Sequence, residues 1–417
     1  MYGINREESQ IIFCDLNSAF AMAEQQARPS LRGRPIGVTN RLSKYCCVIA
    51  ASYEAKALGI KVGTRLDEAM ALCPDFVMLE SDPPKYHHMY KQLARIMKSY
   101  SPNIKMKSID EGIIDLHGTT EIVNNRSLEE IGYEIKQRMK QEVGSWVKVN
   151  IGIAPNRFLA KQAASWHKPD GLDRIDHRNL IDYYKSIELT DLTGIASHYE
   201  ARLNAAGIFT PMDFLQASSD TLRRIVFKSV VGDDWYQRLR GYEVDNVTTK
   251  LGNVGRQWVL KTPSADDKFI LPCFQYLCET TGKKLRYQGV DARGILVWAH
   301  FRNGESWYVR RMFKSTFFTD ADIYARALYL FNKRPKHMII QSMGITCYQL
   351  TPSSRNQISL LDEVNKEEWL TTAVDEINEQ YGTFKIFSAN ALLGTQIVKQ
   401  KIPFGGTKYF ELLLKQA

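Results

Sequence analysis

The 417-residue sequence contains no uninterrupted apolar run of the roughly 18 residues that a membrane-spanning helix needs, so we expect no membrane span. Its seven cysteines include no C-x-x-C pair, and neither a zinc site nor a disulfide framework is expected. The first apolar run is short and follows Glu7 and Glu8, which differs from a secretory signal peptide. These absences predict a cytoplasmic protein.

The surplus of positive charge is confined to one part of the chain. Lys and Arg outnumber Asp and Glu by 55 to 46, a formal net charge of +9. Residues 246–350 contain 16 basic and 7 acidic residues, whereas the rest of the chain has 39 of each. A basic module joined to a neutral body predicts that the module holds a polyanion on which the body acts. A basic surface that is simply solvated is the alternative.

Carboxylates interrupt two apolar segments of the first half of the chain. Asp15 lies within the run 11–16, and Asp110 and Glu111 separate Ile109 from a second apolar run. Charged groups beside a packed core need hydrogen bonds or a cation. We therefore expect these three carboxylates to converge on a divalent metal site, with Mg²⁺ as the preferred ion.

The adjacent acids also predict a turn. Successive side chains of a strand point to opposite faces, so Asp110 and Glu111 can share metal ions only at a turn or an irregular strand end. Gly112 permits such an irregularity. A solvated turn without a metal is the alternative interpretation of this pair.

The predicted elements of the first 243 residues fall into two regions. The first alternates strands and helices, as an α/β body with acids at strand ends does. We expect strands at 11–16, 45–51 and 147–153, a hairpin at 104–116, and helices at 18–28, 53–58, 65–72, 84–100 and 127–142. The second, 175–243, is helical, and 192–208 resembles a helix-hairpin-helix whose amides can hold a phosphate. A plain helical hairpin is the alternative.

The basic segment forms a third region after a polar linker near 243–253. Its predicted order is βαββαβ, with strands at 254–261, 293–301, 306–313 and 338–348 and helices at 266–287 and 320–333. Basic residues that could grip a nucleic-acid backbone alternate with aromatic ones; they are Lys283, Lys284, Arg286, Arg293, Arg302, Arg310, Arg311 and Lys314, beside Trp298, Trp307 and Tyr308. We favour sheet packing over base stacking for the aromatic residues. One further helix is expected at 366–381.

Four sequence blocks resemble those of the Y-family DNA polymerases, the translesion enzymes of the DinB and UmuC type. The blocks are 15–20 (DLNSAF), 51–60 (ASYEAKALGI), 108–111 (SIDE) and 151–171, which begins IGIAPN and ends KPDG. Their order and spacing are those of the family, and the resemblance extends over residues 9–350. The resemblance is to bacterial members of this family.

This resemblance implies a multidomain α/β (α+β) fold arranged as a right hand. The implied domains are a palm (1–26 and 80–174), small fingers (27–79), a helical thumb (175–243), a βαββαβ little finger (244–350) and a C-terminal tail (351–417). The implied activity is that of a DNA-directed DNA polymerase, which performs error-prone translesion synthesis on primer–template DNA with deoxynucleoside triphosphates. A non-catalytic scaffold that binds DNA and a clamp is the alternative, and the presence of all three carboxylates argues against it.

The same resemblance implies roles for individual residues around the acidic pair. Asp15, Asp110 and Glu111 would be catalytic and would bind two Mg²⁺ ions, with the backbone carbonyl of Leu16 as a further metal ligand.

Four other side chains match residues that surround the incoming nucleotide in the family. Tyr53, Lys56 and Lys168 would contact the triphosphate, and Phe20 would exclude a ribose 2′-hydroxyl. The family often has Arg where this chain has Lys56, and Lys offers a point charge where Arg offers a planar fork.

A short peptide in the tail resembles the motif by which bacterial polymerases bind the sliding clamp. It is 357–361 (QISLL), in which Gln357, Leu360 and Leu361 would enter pockets of the clamp. The preceding TPSS provides a flexible lead. We therefore expect a sliding clamp as protein partner of a monomeric polymerase that does not bind membranes.

Overall fold

The computed structural model describes residues 3–119, 126–247, 250–353, 362–382 and 384–398. Two compact units divide the chain, one within Met1–Val247 and the other within Thr248–Gln400. Within the described ranges, no helix is both long and apolar enough to cross a lipid bilayer.

The first unit has a mixed order of strands and helices. Its strands are β1 (Ile11–Leu16), β2 (Ile36–Thr39), β3 (Ala50–Ala51), β4 (Val77–Glu80), β5 (Ile104–Met106), β6 (Glu111–Asp115), β7 (Val149–Ala154) and β8 (Leu172–Arg174). Its helices are α1 (Ala19–Ala27), α2 (Tyr53–Ala57), α3 (Leu66–Leu72), α4 (Pro83–Lys98), α5 (Leu128–Arg138), α6 (Arg157–Trp166), α7 (Leu180–Lys185), α8 (Ser197–Asn204), α9 (Pro211–Gln216), α10 (Ser219–Thr221) and α11 (Val231–Arg238). Short π-helical segments, Met139–Val143 and Leu222–Val226, continue α5 and α10.

The larger sheet of this unit has the strand order β5-β6-β1-β7-β8, with β1 at its centre. β1 is antiparallel to β6 and to β7. Ile12 and Cys14 pack into one core with α1, α4 and α5, whereas Ile11 and Phe13 pack into a second core with α6. Because helices cover both faces of the sheet, β1 is apolar at every position except Asp15.

A second, smaller sheet in this unit differs from the prediction. The predicted strand 45–51 is wrong over most of its length, since only β3 is a strand, and β2 and β4 were missed. Cys46 and Val48 are buried within the preceding loop, so their apolar character reflects loop packing rather than a strand. β2 pairs with β3 and with β4, and these strands pack with α2 and α3.

Residues 175–243 are helical, as predicted, and comprise α7 to α11. Phe214, Leu222 and Trp235 are central to their core. α8 ends at a glycine with positive φ, Gly207 (φ 78°), and the N–H of Ile208 donates to the carbonyl oxygen of Leu203 at 3.0 Å. This glycine cap ends the helix and turns the chain.

The second unit confirms the predicted βαββαβ order. Its elements are β9 (Asn253–Ser264), α12 (Asp267–Tyr287), β10 (Val290–Phe301), β11 (Ser306–Phe317), α13 (Asp320–Phe331) and β12 (Ile340–Pro352). The antiparallel sheet has the order β11-β10-β12-β9. Alternate residues of β10, Ile295, Val297 and Ala299, are buried beneath α12 and α13, which leaves the other face of the sheet open.

The tail adds two helices to the second unit. The helix expected at 366–381 is α14 (Asp362–Gln380), and a second one, α15 (Leu392–Ile397), was not predicted. Gly394 lies so close to Pro272 of α12 that a Cβ would overlap the carbonyl oxygen of Pro272. This part of the tail is therefore packed onto the basic module.

Candidate active site

Two of the predicted catalytic carboxylates lie on adjacent strands. Asp15, near the end of β1, is paired with Glu111, the first residue of β6. The backbone N–H of Leu16 donates to the carbonyl oxygen of Asp110 at 2.9 Å. This pairing holds Asp15, Leu16, Asp110 and Glu111 side by side at one end of the central strands.

Asp110 lies in a turn rather than in the strand, as the sequence predicts. The backbone N–H groups of Lys107 and Ser108 donate to the carbonyl oxygen of Glu111 at 2.9 and 3.2 Å and close the turn. The hydroxyl of Ser108 donates to a carboxylate oxygen of Asp110. The turn thus gives Asp110 an orientation that strand alternation would deny it.

Gly112 has a different role from the one predicted. We expected it to permit an irregular backbone, but it lies within regular pairing of β6 with β1 and β5. A Cβ at this position would come within 2.7 Å of both the sulfur of Met106 and the terminal carbon of Met97. Close packing against these two methionines, rather than backbone freedom, explains the glycine.

Two lysines compensate the charge of the carboxylates. The ammonium of Lys168 lies 2.8 Å from Asp15 Oδ2, and that of Lys161 lies 2.8 and 3.0 Å from the two carboxylate oxygens of Glu111. Lys161 belongs to α6, which Gly152 of β7 allows to approach closely, since a Cβ there would overlap the carbonyl oxygen of Ala160.

Sequence reasoning missed Lys161. The one available signal was its position seven residues before Lys168, which did not by itself distinguish Lys161 from a solvated lysine.

The three carboxylates are close enough to influence one another. Burial raises the pKa of Asp15, the ammonium of Lys168 lowers it, and repulsion by Asp110 and Glu111 raises it again. Such mutual repulsion favours the binding of a cation among them.

Divalent metal ions fit the chemistry of this donor set. All three side chains offer hard oxygen ligands, which suit Mg²⁺ and similar ions. In the ranges that the structure describes, however, no three Asp, Glu, His or Cys side chains form a ready-made metal cluster. Lys161 instead contacts Glu111, and Lys168 contacts Asp15. A metal ion would therefore have to displace at least one of these lysines or share its carboxylate with it.

Tyr53 and Lys56 lie beside this acidic site, as the sequence resemblance implies. The hydroxyl of Tyr53 accepts a hydrogen bond from Asn17 Nδ2 at 2.8 Å, and burial raises its pKa. Lys56 donates to the hydroxyl of Ser18 at 2.7 Å. Burial and the positive charge of Lys168 lower the pKa of Lys56. Lys56 and Lys168 are therefore neighbouring cations close to Asp15.

Phe20 is buried in α1 with 8% of its surface exposed. Its ring stacks on that of Tyr86, with centroids 4.4 Å apart and planes inclined by 15°. The hydroxyl of Tyr86 in turn donates to Glu24 Oε1 at 3.0 Å. The position of the Phe20 ring is therefore fixed by packing.

The basic module presents only some of its predicted cations to solvent. Arg293, Arg302, Arg310, Arg311 and Lys314 are exposed. The prediction for Arg286 is wrong, because its guanidinium is buried and engaged by Asp320 and Asp375.

The aromatic residues of the module divide in the same way. Trp307 packs into the core against Phe331, whereas Trp298 and Tyr308 pair across β10 and β11, and Tyr308 is 70% exposed. Sheet packing is therefore confirmed for Trp307, whereas for the exposed Tyr308 it stays a prediction. The predicted clamp-binding residues Gln357, Leu360 and Leu361 lie outside the described residues.

Two family models match most of the chain. The impB/mucB/samB family matches residues 14–165, which contain the three carboxylates, and the C-terminal domain of the same family matches residues 253–360. Among curated proteins, DNA polymerase IV of Moorella thermoacetica is 29% identical over 403 residues, covering 94% of this chain and 98% of the relative. DNA polymerase IV 1 of Bacillus subtilis is 26% identical, covering 94% and 96%.

Solved structures give a concordant result. A Y-family DNA polymerase chimera of Dbh and Dpo4 superposes with a TM-score of 0.69 at 25% identity, covering 82% of this chain and 98% of the chimera. An insertion ternary complex of Dbh DNA polymerase superposes with a TM-score of 0.57, also at 25% identity, covering 81% and 98%.

Proposed function

Since the chain belongs to the Y-family DNA polymerases of bacteria, we propose that it copies damaged template DNA at the carboxylate site of its first unit. It is a DNA-directed DNA polymerase that performs translesion synthesis, and the scaffold alternative is not favoured. The observation that carries the location of the reaction is the pairing of Asp15 with Glu111, beside the turn that holds Asp110. Primer–template DNA and deoxynucleoside triphosphates are its substrates.

Y-family polymerases use divalent metal ions, and we infer that this chain uses two Mg²⁺ ions. Asp15, Asp110 and Glu111 would hold them together with the carbonyl of Leu16, because these groups supply hard oxygen ligands at one point of the sheet. When bound, such ions neutralise phosphate charge and favour ionisation of the primer hydroxyl.

The neighbouring side chains hold the nucleotide. Lys168 and Lys56 bind the triphosphate through their ammonium groups, and Tyr53 contacts it from the N-terminus of α2. Phe20, whose ring is fixed against Tyr86, would exclude a 2′-hydroxyl by occupying its space. Positioning and charge stabilisation, rather than a covalent intermediate, carry such a reaction.

We propose the domain boundaries that the sequence resemblance implies. We assign 1–26 and 80–174 to the palm, which includes the sheet centred on β1, and 27–79 to small fingers that include β2, β3 and most of β4. The helices of 175–243 are assigned to the thumb, 244–350 to the little finger and 351–417 to the tail. The exposed cations of β10 and β11, among them Arg310 on the open side of the little-finger sheet, would bind the DNA backbone.

Primer extension by the purified protein tests this function. Extension that requires template, deoxynucleotides and a divalent ion is expected. Binding to primer–template DNA without extension would favour the scaffold instead.

Clamp binding through Gln357, Leu360 and Leu361, a monomeric state and a cytoplasmic location remain predictions from the sequence. The peptide precedes α14, which packs on the little finger, so it would connect the polymerase to the clamp from that end of the chain.

A further inference from the structure

The loop between α6 and β8 carries Lys168, whose ammonium contacts Asp15 at the carboxylate site. Residues 167–169 are exposed, so this loop gains little from packing against the core. A loop of this kind keeps one conformation only where neighbouring elements hold its backbone groups by hydrogen bonds. The position of Lys168 therefore depends on what holds the last two residues of the loop, Asp170 and Gly171.

Lys136 of α5 holds this end of the loop from the side of the core. It is 9% exposed, and its ammonium donates to the carbonyl oxygens of Asp170 and Gly171, the latter at 3.3 Å. It also forms an ion pair with Asp170 Oδ1 at 3.3 Å. An ammonium has three N–H groups, and three oxygens of the loop surround this one. The contacts of a buried charge are thus concentrated on two residues of the loop.

Asp170 depends on Lys136 more than Gly171 does. The carbonyl oxygen of Gly171 also accepts from the N–H of Ile151 at 3.0 Å, which ties Gly171 to β7. Asp170 has a φ of 61°, a left-handed conformation that costs energy for a residue with a Cβ. Its N–H lies 3.4 Å from Asn17 Oδ1, which is a long hydrogen bond. Loss of Lys136 would therefore release the turn at Asp170 first.

We propose that Lys136 is a positioning residue for nucleotide binding, because it fixes the turn at Asp170 and so keeps Lys168 at the carboxylate site. This inference rests on the proposed function, in which Lys168 binds the triphosphate. Lys140, whose ammonium lies 3.3 Å from Asp170 Oδ2, supports the same turn from a less buried position. Since its ammonium is engaged by the loop, Lys136 acts on the nucleotide only through Lys168.

Single-turnover incorporation at increasing deoxynucleotide concentration tests this role, because it separates the nucleotide Kd from the amount of active enzyme. Lys136→Met should raise the Kd about tenfold, the loss expected when Lys168 no longer reaches the triphosphate. Lys136→Arg, which keeps a charged donor, should restore part of the affinity. A lysine that only stabilised the fold would lower the amplitude and leave the Kd unchanged, and that result would overturn the proposal.

A double-mutant cycle then shows whether Lys136 acts through Lys168. Lys168→Met alone should raise the Kd, and adding Lys136→Met should raise it by less than about twofold further, because the loop then has no cation left to position. A further tenfold increase in the double variant would mean that Lys136 affects the nucleotide by another route, and it would refute the proposal. Lys98→Met, at an exposed position on α4, is the matched control and should keep the wild-type Kd.

Lys140→Met carries the test if thermal melting shows that Lys136→Met does not fold. The Lys140 side chain is 35% exposed, and its removal leaves the contacts of Lys136 intact. This variant should raise the Kd to a smaller extent, and only when Lys168 is present. A wild-type protein that incorporates no nucleotide would refute the proposed function and this inference with it. Normal wild-type incorporation, with an unchanged Kd in whichever lysine variant folds, would refute only the positioning role.

Discussion

The ammonium group of Lys161 lies within 3.0 Å of both carboxylate oxygens of Glu111, and 5.4 Å from the centroid of the Phe13 ring. Lys161 projects from α6, a helix that packs against the central sheet, and so the fold itself gives Glu111 a cationic partner. We infer that Lys161 orients Glu111 for metal binding.

Replacing Lys161 by Met should lower the single-turnover incorporation rate about tenfold to a hundredfold, because a partly buried carboxylate that loses its partner costs about 1–3 kcal/mol. The KM for deoxynucleotide should change little, since Lys161 faces Glu111. Lys161→Arg should restore part of the rate. Lys185→Met, at an exposed position on α7, is the control. A raised KM with an unchanged rate would mean that Lys161 binds nucleotide instead.

Phe20→Ala should let ribonucleotides enter the active site. The buried Phe20 ring, stacked on Tyr86, would leave space for a 2′-hydroxyl when truncated. The ratio of ribonucleotide to deoxynucleotide incorporation should rise at least about tenfold, equivalent to about 1.4 kcal/mol. Tyr86→Phe keeps the stacked ring and should retain discrimination. Primer extension with single nucleotides measures both ratios, and an unchanged ratio in Phe20→Ala would remove this role.

Gln357 and Leu361 should be required for clamp binding. Replacing both by Ala in the full chain should weaken affinity for the sliding clamp of the same organism by about a hundredfold or more, because both side chains would leave clamp pockets empty. Ser359→Ala, within the same peptide, should bind as the wild type does. Surface plasmon resonance gives the affinities. If the double variant bound the clamp as tightly as the wild type does, the clamp would have to contact a part of the chain other than the peptide 357–361.

The stability of the second unit should fall as pH rises from about 4.5 to about 7. Burial raises the pKa of Glu279 above its ordinary value of 4.5, so in this window the folded unit binds more protons than the unfolded chain. The contribution of protonated Glu279 to the stability of the folded unit is complete below about pH 4.5 and is lost as the pH rises past about 7. The charged side chains that line the same cavity as Glu279 are Lys283, Arg286, Asp320 and Asp375.

Urea unfolding of wild type and Glu279→Gln at about pH 5 and about pH 7.5 isolates this effect. Between these two pH values, the free energy of unfolding should fall by up to about 3 kcal/mol more for the wild type than for Glu279→Gln. Glu376→Gln should behave as the wild type does. Parallel pH profiles for wild type and Glu279→Gln would mean that Glu279 is not protonated in the folded unit.

The sequence predicted those features whose physical signal is local. β1 and β6 were recognisable from their apolar runs, and the carboxylates that interrupt these runs indicated the site. The turn at Asp110 followed because adjacent side chains of a strand point to opposite faces. The βαββαβ order followed from element lengths and periodicity. β2 and β4 were missed because four-residue strands give too short a pattern to separate from loop packing.

The features that sequence could not predict depend on contacts between distant residues. Lys161 and Glu111 are 50 residues apart, and only the packing of α6 on the sheet brings them together. Arg286 looked like a DNA-binding cation in a basic segment, yet Asp375, 89 residues later, engages it in the core of the unit. Gly112 was attributed to backbone freedom because sequence does not reveal that Met97 and Met106 occupy the space beside it.

Single-turnover primer extension by Asp110→Ala tests the central claim most directly. If Asp110 holds a metal ion at the reaction centre, this variant should lose at least about a thousandfold in rate, equivalent to about 4 kcal/mol, while still binding primer–template DNA. Asp182→Ala, which removes an exposed carboxylate of α7, should extend primers at the wild-type rate. Extension by Asp110→Ala within about tenfold of wild type would contradict the assignment of this carboxylate site as the polymerase active site.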